Sequence, residues 1–207
     1  MTPPLPEPKY NLLIEPLIRV EVANRIVQRC TLPGVLERLA HDHVAAFKGL
    51  QAHQRHAWYA FLVQLAAIAL LRANERLSDQ REGHWRELLR ALTAGRDEPW
   101  CLIVPDLAQP AFFQPPVPEG TLDGFKPPVA EPDELDILVT SRNHDVKTAR
   151  MRAATEDQWV FLLVSLQTTE GYSGSKNYGV ARMNGGYGNR PCVGLAPSLR
   201  WGARFRR

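Results

Sequence analysis

Residues 57–75, AWYAFLVQLAAIALLRANE, hold the stretch on which the fold turns. It contains neither proline nor glycine and is apolar on nearly every face, the pattern of a helix buried on several sides rather than along one stripe. Its most apolar part, Ala60 to Leu71, is interrupted by Gln64 and is shorter than the roughly 20 residues that cross a bilayer. The expectation is therefore a core helix, with no membrane partner.

Working outward toward the C-terminus, Trp85, Leu88, Leu89 and Leu92 recur at i, i+3, i+4 and i+7, which predicts an amphipathic helix ended by Gly95 and packed on the apolar one. Toward the N-terminus, the polar stretch His41 to Arg55 precedes it. Before that, Val35, Leu36 and Leu39 place a short helix over Val35 to Ala40, with Thr31 and Pro33 as its start signals. The opening run NLLIEPLIRVEV, Asn11 to Val22, has two apolar halves separated by Glu15-Pro16 and reads as two short strands or one bent strand starting a small sheet.

Beyond the second helix, Trp100 to Val104 predicts a buried strand. Pro105 to Pro132 is studded with proline, so it is expected to run over the surface without regular structure, pinned by Phe112 and Phe113. Short helical turns are expected at Asp133 to Val139 and at Asp145 to Ala154, the latter with Lys147, Arg150 and Arg152 outward. Thr155-Glu-Asp-Gln158 has the spacing of a capping box and leads into Trp159, Phe161, Leu162, Leu163, Val164 and Leu166, a well-capped buried helix. The fold class is thus α+β: a helix-rich globular domain with a small N-terminal sheet, a long proline-rich irregular middle and a glycine-rich basic C-terminal loop region. We divide it into a mixed body, residues 1–170, and a segment of the same domain, residues 171–207.

A chain of 207 residues, 44% hydrophobic and 23% charged, buries a core without staples and is neither disordered nor collagen-like. Cys30, Cys101 and Cys192 lie far apart with no Cys-x-x-Cys pattern, which argues against zinc and fits a reducing cytoplasm. Met1 to Pro8 lacks the features of a secretory signal. No cofactor is expected.

Charge is unevenly spread. From Gly171 onward lie seven of the 25 basic residues and no acidic one, which leaves 18 basic against 22 acidic residues before it. That segment combines Gly171-Tyr-Ser-Gly-Ser-Lys-Asn-Tyr-Gly179 with Arg182-Met-Asn-Gly-Gly-Tyr-Gly-Asn-Arg-Pro191. Gly185 and Gly186 let backbone N–H groups approach a phosphate or a groove floor closely. Lys176, Arg182 and Arg190 neutralise phosphates, Asn177, Asn184 and Asn189 hydrogen-bond base edges and sugar, and Tyr178 and Tyr187 stack on bases. These ten residues are the candidate nucleic-acid surface. The bland alternative is a solvated loop or hairpin whose glycines serve turn geometry.

Gly185-Gly-Tyr-Gly188 has neither Walker spacing nor a Rossmann fingerprint, and no nucleophile elbow is present. His41-Asp42-His43 and His144-Asp145 suggest a metal-dependent phosphohydrolase or nuclease, since imidazole and carboxylate suit transition metals. The competing reading makes them polar helix ends or solvated loops, as for His53 and His56.

NLLIEPLI near the start, ALLR in the apolar helix, NHDVK before the capping box and the glycine-rich segment, taken in order over nearly the whole chain, resemble the CasA family. That family is the large subunit of the type I-E CRISPR Cascade complex. The resemblance implies a cytoplasmic, non-catalytic subunit seated at the 5′ end of the guide CRISPR RNA. Its partners would be that RNA, target double-stranded DNA, the other Cascade subunits and a helicase-nuclease recruited after target binding. It further implies recognition of a protospacer-adjacent motif from the minor groove by the stretch Arg182 to Arg190, and the start of duplex opening. Minor-groove readout by backbone N–H, asparagine and arginine is chemically coherent with this. Family members usually continue into a C-terminal helical bundle, and their glutamine wedge and lysine finger lie beyond the matched part. The ending Leu199 to Arg207 carries apolar residues set to pack onward, so both a fragment and a compact variant completed by a partner remain open.

Overall fold

A computed structural model describes residues 9–123, 130–135, 154–168 and 198–207. The fold combines helices with two small antiparallel sheets, one of two strands and one of three, so the α+β class holds.

Of the opening run, only the second half forms a strand of its own; the first half contributes just Asn11, the end of a strand in a different sheet. Strand β1, Lys9–Asn11, pairs antiparallel with β5, Cys101–Ile103, Asn11 opposite Cys101. Strand β2, Ile18–Glu21, lies between β3, Val27–Cys30, and β4, Ala46–Phe47, in the order β3-β2-β4. The first apolar half, Leu12 to Ile14, is a turn and not a strand. The Asn11 side-chain oxygen accepts from the Leu13 N–H at 2.9 Å while the Asn11 carbonyl accepts from Ile14 and Glu15. An Asx turn of this kind offers the backbone a local alternative to a ladder. It drives Leu12 and Leu13 inward, where both are buried.

Helix α1, Leu32–Ala40, begins where Thr31 caps it, its hydroxyl accepting from the Gly34 N–H at 3.0 Å. Pro33 occupies the first turn, where its missing N–H costs nothing. Helix α2, Arg55–Ala73, is the apolar stretch, ended by Asn74 in the left-handed conformation. Trp58, Phe61, Leu62, Ala66 and Leu70 are buried, but Ile68 is 47% and Leu71 79% exposed. Two expectations are corrected here. The helix has one face outside the core, and its 19 residues are long and apolar enough to cross a membrane by length and composition, although Trp58 and Leu62 are fully buried inside the fold.

Helix α3, Glu82–Leu92, buries Trp85, Leu88 and Leu89 and packs on both α1 and α2, as the spacing predicted. Gly95, at φ +81°, donates its N–H to the Arg90 carbonyl at 3.0 Å and turns the chain away. Trp100 then donates its indole N–H to the Thr93 hydroxyl at 3.0 Å, leading into β5.

The proline-rich middle is irregular through residue 123, and Phe112 and Phe113 fasten it by edge contacts with Phe61 at 5.9 and 5.3 Å between ring centroids. A short 3-10 turn at Pro132–Glu134 stands near the expected start of the Asp133 turn. Of the expected Asp145 to Ala154 turn, residues 145–153, including Lys147, Arg150 and Arg152, lie outside the described residues.

Helix α4, Glu156–Thr168, packs on α2 and β2. Half of the expected capping box forms: the Gln158 side chain accepts from the Thr155 N–H at 2.9 Å. The Thr155 hydroxyl instead donates to Asp157 at 2.6 Å and accepts from Arg19 at 2.8 Å. The fully buried Asp157 carboxylate also takes the Arg19 Nε–H at 2.8 Å, so an ion pair rather than a pure helix cap fixes this end. Helix α5, Trp201–Phe205, closes the fold against α1. Phe47, Trp58, Phe161 and Trp201 form one aromatic cluster at the centre, centroids 4.9 to 6.3 Å apart.

Candidate nucleic-acid interface

Lys176, Asn177, Tyr178, Arg182, Asn184, Gly185, Gly186, Tyr187, Asn189 and Arg190 lie outside the described residues, as does Cys192. The structure describes the chain on either side of them, up to Thr168 and from Ser198. On the entry side, the end of α4 is tied to the irregular middle by the Gln167 amide, which donates to the Phe113 carbonyl at 2.9 Å.

The exit side is tied more tightly. Asp42, just past the end of α1, accepts the Ala203 N–H at 3.0 Å and pairs with Arg200 through a short contact and with Arg206 at 3.9 Å. A carboxylate at the first turn of a helix satisfies an orphan N–H and opposes the helix dipole. Gly202 is required at the crossing: a Cβ there would stand 2.4 Å from the Asp42 Cα and 2.6 Å from the Leu39 carbonyl oxygen. The Arg204 guanidinium lies 4.1 Å from the centroid of the Tyr59 ring, and the Tyr59 hydroxyl donates to the Arg204 carbonyl at 3.0 Å.

One expectation about the tail changes accordingly. Trp201 and Phe205 pack back onto the body instead of onward, because Phe47, Trp58 and Tyr59 offer them a cluster to join; only Leu199, 94% exposed, faces outward. Of the basic residues after Gly171, Arg200 and Arg206 pair with Asp42 and Arg204 lies over the Tyr59 ring.

Alongside this anchor runs a groove of two joined hollows, of about 230 and 660 Å³, on the polar side of α1. Arg29, Arg38, His41, His43 and Arg81 line the first; Arg38, His43, Leu199 and Arg200 line the second. The Cys30 thiol at its wall is pushed above the ordinary range by burial, partly offset by Arg38, whose Nε–H donates to its sulfur at 3.1 Å. It is a protonated structural thiol and not a nucleophile. Sequence reading passed over Arg38; its only signal was a basic residue on the outward side of α1 within eight positions of a cysteine.

The His-Asp motif is divided by its surroundings. His41 meets the Glu37 carbonyl through Nδ1 at 2.9 Å and stacks on His43 at 5.7 Å, while Asp42 turns to α5. The three do not converge, and among the described residues there is no group of three or more His, Cys, Asp or Glu side chains placed to hold a metal. His144 and Asp145 lie outside the described residues.

No family model matches the chain, and no curated protein or solved structure does.

Proposed function

We propose that this chain is the large subunit of an RNA-guided CRISPR surveillance complex of the Cascade type, a cytoplasmic, non-catalytic protein that helps recognise a protospacer-adjacent motif in double-stranded DNA and starts duplex opening. The reading rests on the ordered resemblance to the CasA family. The observation that carries it is the acid-free segment from Gly171, whose glycine, asparagine, tyrosine and basic residues belong to a minor-groove reader. A reading loop must be held in register by a rigid support, since phosphate and groove contacts position while base contacts specify. The fastenings at Gln167 and at Asp42 supply such a support.

The finer assignment gives Asn184, Gly185 and Arg190 to base edges and groove floor, and Lys176 and Arg182 to phosphates. Guide RNA, target DNA, the other subunits and a recruited helicase-nuclease are the partners.

Reconstitution tests this. Guide RNA and the other subunits of the host's complex are assembled with and without this chain, and binding of a matched duplex is followed by mobility shift. The reading predicts that tight target binding requires the chain. Equal binding in its absence sinks it.

A further inference from the structure

Each carboxylate of the groove beside α1 is spoken for. Glu37 accepts from Arg81 at 3.3 Å and from the Glu82 N–H at 3.0 Å. Glu82 accepts from the Thr31 hydroxyl at 2.8 Å and from Arg86 at 3.4 Å. Asp42 is held by Arg200 and the Ala203 N–H, and Arg29 faces Glu156 at 3.6 Å. One cation is left over. Arg38 donates its Nε–H to Cys30, and its two Nη groups have no partner among the described residues.

That leftover guanidinium is oriented rather than loose, because the Nε–H to sulfur bond and its half-buried stem hold the plane. Two free, coplanar Nη groups make a fork that fits two oxygens of one phosphate. Arg38 and the exposed His43 are the two residues that line both hollows, so they sit where these join. On the far side, Val22, Ala23, Val44, Ala45 and Leu199 line the larger hollow, an apolar surface of the kind that takes a sugar or base face.

From this arrangement we propose that the groove seats the phosphodiester backbone of a single nucleic-acid strand, with one phosphate clamped by Arg38 and a base stacked on the His43 ring. A chain of phosphates fits two joined hollows with a cation at the junction; a lone small anion would leave the larger, apolar hollow unused. None of the residues that line the groove is among the ten assigned to motif reading, so the proposal is tested independently of that assignment.

The test uses the full chain alone at low salt, with fluorescein-labelled 20-nucleotide single strands of RNA and of DNA, a 20-base-pair duplex, and inorganic phosphate. Anisotropy is measured over a salt series for wild type, Arg38→Gln, Arg38→Lys and His43→Gln, each checked by thermal melting. Single strands are expected to bind more tightly than the duplex, and the RNA and DNA strands report which source is preferred. Arg38→Gln is expected to weaken strand binding about tenfold and to reduce the slope of log affinity against log salt by about 0.7, the value for one phosphate contact on a single strand. Arg38→Lys keeps part of the affinity, and the exposed His43→Gln weakens binding without changing the slope. Gly83→Ala, at an exposed position of α3 with nothing within 4 Å of the added methyl, should bind these strands as wild type does. Unchanged affinity and slope in both Arg38→Gln and His43→Gln overturn the proposal, as does inorganic phosphate competing at micromolar concentration, which would make this a small-anion site.

Discussion

Replacing Gly202 with alanine is the sharpest perturbation the structure offers, because the space is denied by backbone on one side and a clamped carboxylate on the other. The new Cβ would meet the Asp42 Cα at 2.4 Å, the Leu39 carbonyl oxygen at 2.6 Å and the Asp42 carboxylate at 2.7 Å. Carbon atoms rest at about 3.5–4.0 Å, so α5 must retreat by roughly 1 Å. Overpacking of this kind costs about 1–3 kcal/mol when neighbours shift. If α5 lifts away, the losses are the burial of Phe205, about 1.5–3 kcal/mol, and the charge-assisted bond from Ala203 to Asp42, about 1.5–3 kcal/mol. The Arg200 pair is largely exposed and adds at most about 1 kcal/mol. The cheaper response bounds the cost, so the expected destabilisation is about 1–3 kcal/mol, read by urea unfolding with tryptophan fluorescence, together with faster proteolysis of the last ten residues. Gly83→Ala is the control: nothing lies within 4 Å of its added methyl in α3, so it should be neutral or gain up to about 1 kcal/mol. Gly202→Ala unfolding within about 0.5 kcal/mol of wild type, with unchanged proteolysis, would refute the close approach of α5 to α1.

Asp157→Asn should cost about 3 kcal/mol in the same assay, since it strips a buried carboxylate from Arg19 and Thr155; Glu156→Gln, on the exposed pair with Arg29, should cost less than about 1 kcal/mol. Trp58→Ala, at the centre of the aromatic cluster, should cost about 3–5 kcal/mol. Burial pushes the Cys101 thiol up to about 11 from an ordinary 9. Its folded value is raised, so the stability it contributes is complete below pH 9 and is lost between about 9 and 11; at pH 8 iodoacetamide should label Cys101 only on unfolding, and labelling of the native protein would contradict the burial.

The elements that periodicity names are the elements that local chemistry fixes. Thr31 caps α1 and Trp85, Leu88 and Leu89 bury one stripe of α3 because both signals act within one or two turns. What escaped the sequence is set by residues far apart in it. Strand β4 has two residues and exists because Phe47 pairs with Val20, and β3 exists because Cys30 pairs with Ile18. The capping box at Thr155 was half legible, since Arg19, 136 positions earlier, draws off the hydroxyl. The uniform apolarity of α2 carries no phase, so it could not tell that Ile68 and Leu71 are the side left exposed. Asp42 read as a metal ligand beside two histidines; its partner at Ala203 lies 161 positions away. The cation at the groove, Arg38, became visible only once every neighbouring carboxylate could be matched to its own partner.

The central claim is that Arg182 to Arg190 reads the flanking motif of the target. It is tested most directly by target-DNA binding of the assembled guide complex, at fixed salt, across a library of flanking motifs, with wild type and an Asn184→Ala/Gly185→Asp/Arg190→Ala variant. The account predicts that the variant assembles normally and loses motif-dependent binding. Normal assembly with unchanged binding and unchanged motif preference would contradict it, and would place the reading in another subunit.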